Sequence, residues 1–207
     1  MGIAVLVLGA SGSGKSTSLR NFEKEEIGIF NVAGKPLPFR KQFNVCENAT
    51  YAHIYNTLSD PKLKKYVVDD SQYLMAFESF AHAKETGYGK FTNMAINFKN
   101  MLDCVREAPK DVIVYFLHHT ETDENGKIKA KTLGKMLDNQ LTLEGMFSVV
   151  LLCQIEGKEH YFITNSDGTN PAKTPMEMFE STKMDNDLKM VDKVIREYWN
   201  LGGEKDE

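Results

Sequence analysis

The sequence predicts an α/β fold with a mainly parallel central sheet, flanking helices and a C-terminal β-hairpin, and three observations lead there. Apolar runs suited to buried strands alternate with helical patterns along the chain. No repeat or low-complexity linker interrupts the alternation, and 207 residues suit one large domain, 1–207, better than two small ones. The first apolar run leads straight into Gly9-Ala10-Ser11-Gly12-Ser13-Gly14-Lys15-Ser16-Thr17, which completes G-x-x-x-x-G-K-[ST] from Gly9 to Ser16.

Residues 3–8 are an unbroken apolar run, as expected for a strand buried on both faces, and residues 18–24 read as the helix that follows. Strand before and helix after are the setting a phosphate-binding loop requires. Its glycines allow positive φ and bring backbone N–H groups against phosphate oxygens, where a helix N-terminus adds a favourable dipole. Lys15 would reach the β and γ phosphates, Ser16 offers its hydroxyl to Mg²⁺, and Thr17 falls near the α phosphate.

Further along, residues 27–32 suit a strand, and Pro36 and Pro38 exclude a helix in the loop after it. Residues 42–46 suit another short strand and 50–58 a short helix stopped by Ser59-Asp60-Pro61. Residues 65–70 read as a strand running into acid, followed by helices over 72–85 and 92–107. The next strand, 111–117, ends in His118-His119, with a turn at 123–126. Residues 127–143 are basic and then helical in pattern, and 147–155 with 159–164 form a hairpin around Glu156-Gly157-Lys158. Leu188, Val191, Val194, Ile195, Tyr198 and Trp199 recur at helical spacing, a core-packing face with a partner-binding helix as the alternative.

Tyr66-Val-Val-Asp69-Asp70 supplies the second chemical signal. A carboxylate at the tip of a buried strand beside a phosphate loop can hold the Mg²⁺ shell, and Asp69, the first acid after the apolar run, is the expected ligand. Hydrolysis also needs a group that orients or deprotonates water. Asp70 and Glu47 are the rivals for it. Of His118 and His119, consecutive in a strand, one should face the γ phosphate as a polar sensor.

A net charge of −4 does not favour nucleic acid globally, so a contact with single-stranded DNA would need a local patch or an oligomer. Lys127, Lys129, Lys131 and Lys135 are the candidate patch, set against an ordinary solvated face. Cys46, Cys104 and Cys153 lie far apart in or beside apolar segments and read as buried thiols of a cytoplasmic protein. No segment approaches membrane-spanning length. No arginine occurs between Arg106 and Arg196, which counts against a small-molecule kinase with an arginine-bearing lid. The guanine-type matches, residues 182–185 and 123–126, fall in the wrong places, so ATP is the expected nucleotide.

Beyond Gly9–Thr17, the segments Lys35-Pro-Leu-Pro-Phe-Arg40, Val67-Val-Asp-Asp-Ser-Gln-Tyr-Leu74, Tyr115-Phe-Leu-His-His-Thr-Glu121 and Lys131-Thr-Leu-Gly-Lys-Met-Leu137 carry a family likeness. Leu143-Glu-Gly-Met-Phe147, Thr174-Pro-Met-Glu-Met-Phe179 and Asp185-Asn-Asp-Leu188 extend it over nearly the whole chain. The sequence resembles phage-encoded AAA-type ATP-binding proteins, P-loop NTPases with a RecA-like core, some linked to single-strand annealing and recombination. The resemblance implies ATP and Mg²⁺ at Lys15 and Ser16, Asp69 as the Walker B acid, and His118 or His119 as sensor. It also places the Lys127 to Lys135 loop at a DNA-contacting element and allows a homo-oligomer whose neighbour completes the site. A clear glutamate in the usual RecA place is missing.

Overall fold

The computed structural model describes residues 1–87, 89–133 and 142–202. Its centre is β1 (Ile3–Gly9), where Val5, Leu6, Val7 and Leu8 are fully buried because both neighbouring strands and both faces of the sheet are covered. β1 pairs in parallel with β5 (Ile113–Thr122) on one side and β7 (Val149–Glu156) on the other. Beyond β5 lie β4 (Lys65–Asp69), β2 (Gly28–Asn31) and the edge strand β3 (Asn44–Glu47), all parallel. Beyond β7, β8 (Glu159–Ile163) and β9 (Lys183–Asp185) add antiparallel pairings. Among the described residues the sheet has nine strands, ordered β3-β2-β4-β5-β1-β7-β8-β9, with β6 (Ile128–Ala130) attached to β5.

Side-chain alternation along the strands divides the core in two. Leu6, Leu8, Val68, Phe116 and Val150 face one way, against α1 (Tyr51–Ser59), α2 (Gln72–Ala81) and α3 (Gly89–Glu107). Val5, Val7, Val67, Tyr115 and Leu151 face the other, against Leu19, Phe22 and α4 (Leu188–Tyr198). This is the expected α/β fold, a mostly parallel sheet flanked by helices, with the β7–β8 hairpin at one side. α1 starts where the Thr50 N–H donates to His53 Nδ1 at 3.2 Å. α4 starts where the Asp187 carboxylate accepts from the Lys189 N–H at 2.9 Å. Its Leu188, Val191 and Ile195 enter the core, so the helically spaced face is a packing face.

Three sequence expectations are corrected. The helix expected over 18–24 is only a 3₁₀ turn, Ser16–Leu19, followed by further turns. After one four-residue bond, Ser18 N to Gly14 O at 3.0 Å, its backbone bonds are of the three-residue kind, such as Arg20 N to Thr17 O and Phe22 N to Leu19 O, both 3.1 Å. Ser18 Oγ also donates back to the Lys15 carbonyl at 2.6 Å, and such local bonds compete with an α-helical ladder. Secondly, β5 does not stop before the histidines; it carries them in mid-strand and continues to Thr122. Its surplus length finds a partner in β6, with Thr120 opposite Ala130 and Thr122 opposite Ile128. Thirdly, residues 128–130 of the segment expected to turn helical are this strand, and 143–146 are a 3₁₀ turn. Residues 134–141, including Lys135, lie outside the described residues.

Candidate functional site

Parallel strands aim their C-terminal ends at one edge of the sheet, and there β1, β2, β4 and β5 bring the chemistry together. The loop 10–15 leaves β1 and turns at Gly14, whose φ of +102° suits glycine alone. A Cβ there would also lie 2.8 Å from His160 Nδ1, because the hairpin folds back under the loop. The same imidazole bonds the Ser13 carbonyl at 2.7 Å, and Cys153 Sγ donates to that carbonyl at 3.0 Å. Burial pushes the Cys153 thiol up to about 11, so it stays protonated and able to donate.

Lys15 is buried and donates from Nζ to the Gly9 carbonyl at 2.8 Å and the Ala10 carbonyl at 3.0 Å. Burial lowers the affinity of this ammonium for its proton, while the nearby carboxylates of Asp70 and Asp69 act the other way. Ser16 Oγ donates to Asp69 Oδ1 at 2.9 Å, across 53 residues of sequence. Burial raises the Asp69 pKa, the adjacent charge of Asp70 adds to the rise, and the Ser16 bond and Lys15 oppose it. Hydroxyl and carboxylate oxygens are the donors that Mg²⁺ takes, with phosphate and water completing its octahedron, so this pair fits that ion. Among the described residues no group of three or more His, Cys, Asp or Glu forms a metal cage of its own.

Asp70 follows immediately with φ of +59°, a left-handed conformation that turns its side chain into the cleft beside Asp69. Both of its oxygens are engaged: Lys35 Nζ stands 2.5 Å from Oδ2, and His119 Nε2 donates to Oδ1 at 3.1 Å. Burial alone would raise its pKa, yet the bonds from His119 and Lys35 outweigh burial and hold the carboxyl at about 2. The cleft is lined by Ser11, Gly12, Gly14, Lys15, Ser16, Thr17, Asp69, Asp70 and His119, with Lys35, Pro36 and Pro38 closing it from the loop after β2.

The two histidines part as the strand period requires. His119 lines the cleft. His118 is fully buried on the other face, where its Nε2 donates to the Lys131 carbonyl and its Nδ1 accepts from Ser71 Oγ, each at 2.8 Å. Burial brings the His118 pKa down to about 4, which keeps the ring neutral as this pair of bonds requires. Glu47 is exposed at the end of edge strand β3, in register with Asn31 of β2, and accepts from Asn31 Nδ2 at 2.6 Å. It does not line the cleft. Of the lysine cluster, Lys127 and Lys131 are exposed, and Lys129 pairs with Glu121 at 3.0 Å.

The sequence gives no site role to Lys35, which appears there only in a family-like segment, to Cys153, which reads only as a buried thiol, or to His160. A lysine between Gly34 and Pro36, just past the C-terminal end of a strand, was the available signal for the first. Nothing local marks the other two, because they reach the loop only through the hairpin.

No family model and no curated protein matches this chain. Among solved structures it is similar to the ATPase DotB of Legionella pneumophila, with a TM-score of 0.38 and 10% sequence identity. The match covers 98% of this chain and 53% of that one, so the chain spans about half the length of the structure it matches. No helix among the described residues is long and apolar enough to cross a membrane.

Proposed function

We propose that the chain binds Mg-ATP through Gly9–Thr17 and hydrolyses it. The observation that carries this reading is the 2.9 Å bond from Ser16 Oγ to Asp69 Oδ1 at the base of a glycine loop closed by Lys15. Two distant sequence signals meet there, in the arrangement that a magnesium-bridged triphosphate requires. Ser16 and Asp69 would hold the metal, which supplies charge neutralisation at the β and γ phosphate oxygens. Loop N–H groups and Lys15 hold the phosphates.

In the reaction, the water oxygen bonds to Pγ as the bond from Pγ to the bridging oxygen breaks. The electron pair leaves on ADP and the water proton ends on the released phosphate. Asp70 and His119 are the side chains at hand to orient the water.

Single-stranded DNA is the proposed partner, met by Lys127, Lys129, Lys131 and, beyond the described residues, Lys135. In support, the Lys131 N–H donates to the His119 carbonyl at 2.9 Å and its carbonyl accepts from His118, which ties the basic loop to the strand that serves the cleft. Homo-oligomerisation along the DNA belongs to the same proposal. One observation favours a second reading, a nucleotide-gated binding protein with negligible turnover: both Asp70 oxygens are already engaged by basic side chains. Phosphoryl transfer to a small acceptor is disfavoured, since no arginine lines the described cleft.

ATP turnover by the parental protein and by Lys15→Ala, each with and without a single-stranded oligonucleotide, tests the proposal. Parental turnover that rises with DNA and is lost in Lys15→Ala supports it. Equal turnover in the two proteins overturns it, and tight ATP binding without turnover selects the gated reading.

A further inference from the structure

Lys35 stands on a loop built to place it. The Asn31 amide, buried on β2, donates from Nδ2 to the Lys35 carbonyl at 2.7 Å and to Glu47 Oε2 at 2.6 Å, so the edge-strand glutamate holds the amide that holds the lysine. Gly34 before it takes φ of +62°, and a Cβ there would lie 2.4 Å from Asn48 Oδ1. Pro36 and Pro38 after it limit the freedom of the backbone. From this base the side chain reaches out over the cleft: it is 59% exposed, and its ammonium rests on Asp70 Oδ2 and 5.4 Å from the centre of the Tyr73 ring.

We infer that Lys35 is a cation supplied in cis to the γ phosphate, and that Asp70 is the latch that parks it when no triphosphate is bound. The inference rests on the Mg-ATP reading. A terminal phosphate carries more negative charge than one carboxylate, offers three acceptor oxygens, and would enter beside a carboxylate that repels it. The lysine is thereby drawn from Asp70 to the phosphate. The exchange leaves Asp70 Oδ2 to accept from the attacking water, while His119 keeps hold of Oδ1. It adds, within one chain, a second side-chain cation to Lys15 in a cleft where no arginine is among the described lining residues. Glu47 acts through Asn31 as a positioning residue and does not touch the substrate.

ADP has no γ phosphate, so the lysine should distinguish the two nucleotides. Binding of Mg-ADP and of the Mg complex of adenylyl imidodiphosphate is measured for the parental protein, Lys35→Met and Lys35→Arg, with thermal melting as the check on folding. Lys35→Met is expected to lose about tenfold or more in affinity for the triphosphate analogue while ADP affinity stays within about twofold, and Lys35→Arg recovers most of the loss. An equal loss for both nucleotides, or no loss for either, overturns the assignment of Lys35 alone. A parental protein that binds neither nucleotide overturns the Mg-ATP reading, and the assignment falls with it.

Discussion

Asp70 and His118 are both titratable groups held far from their ordinary behaviour, for opposite reasons. Asp70 keeps its charge because two basic side chains grip it; His118 keeps neutral because burial outweighs its hydrogen bonds. The second has a consequence for stability. From its ordinary value of 6.5 down to about 4, the unfolded chain takes up a proton that the folded chain refuses, so unfolding is progressively favoured as the pH falls. Full stabilisation is present above pH 6.5, and roughly 3 kcal/mol is lost by pH 4. His118→Gln keeps a donor for the Lys131 carbonyl and removes the titration. Urea midpoints at pH 7 and pH 5 should fall more steeply for the parental protein than for this variant; parallel falls would show that His118 does not drive the change. The pattern Val67-Val-Asp69 marked Asp69 as the expected metal-side acid, and the structure sets its carboxylate against Ser16 Oγ. Lys35 escaped that reading because its role depends on β2 lying beside β4, a pairing no local pattern encodes.

At the scale of elements, periodicity was most legible where one face alone is buried. α4 shows this best: Leu188, Val191 and Ile195 enter the core behind β1, and Tyr115 OH donates to the buried Asp192 carboxylate at 2.8 Å to fix the helix on the sheet. Arg196 joins the same carboxylate at 2.9 Å. Ile195→Ala should therefore cost about 3 kcal/mol, read from urea unfolding. A cost near zero would mean that α4 does not belong to the core and would reopen its reading as a partner helix. Boundaries were less legible than faces. β5 outran its expected end because the hydrogen-bonding partner for Thr120 to Thr122 comes from β6, on the far side of the turn at 123–126. The segment after Lys15 failed as a helix because its own hydroxyls and carbonyls satisfy one another locally.

At the scale of the whole molecule, the sheet order explains why one cleft collects so many distant residues. β5 sits between β1 and β4, so its His119 comes between the loop that leaves β1 and the acids that end β4. β2 lies beyond β4 and sends Lys35 back over the same edge, while the β7–β8 hairpin supports the loop from the opposite side through His160 and Cys153. The motif Gly9–Thr17 is the sequence signal for the proposed phosphate site, but the hairpin buttress and the placement of Lys35 beside Asp70 exist only once the strands have been ordered. The central claim is that Ser16 and Asp69 hold a magnesium-bridged triphosphate against this loop. Calorimetric titration of ATP into the parental protein and Ser16→Ala, each with and without Mg²⁺, tests it most directly. We predict that Mg²⁺ strengthens binding to the parental protein and that Ser16→Ala loses about tenfold in Mg²⁺ while matching the parent without it. Absence of ATP binding to the parental protein, or the same Mg²⁺ dependence in both, would contradict the claim.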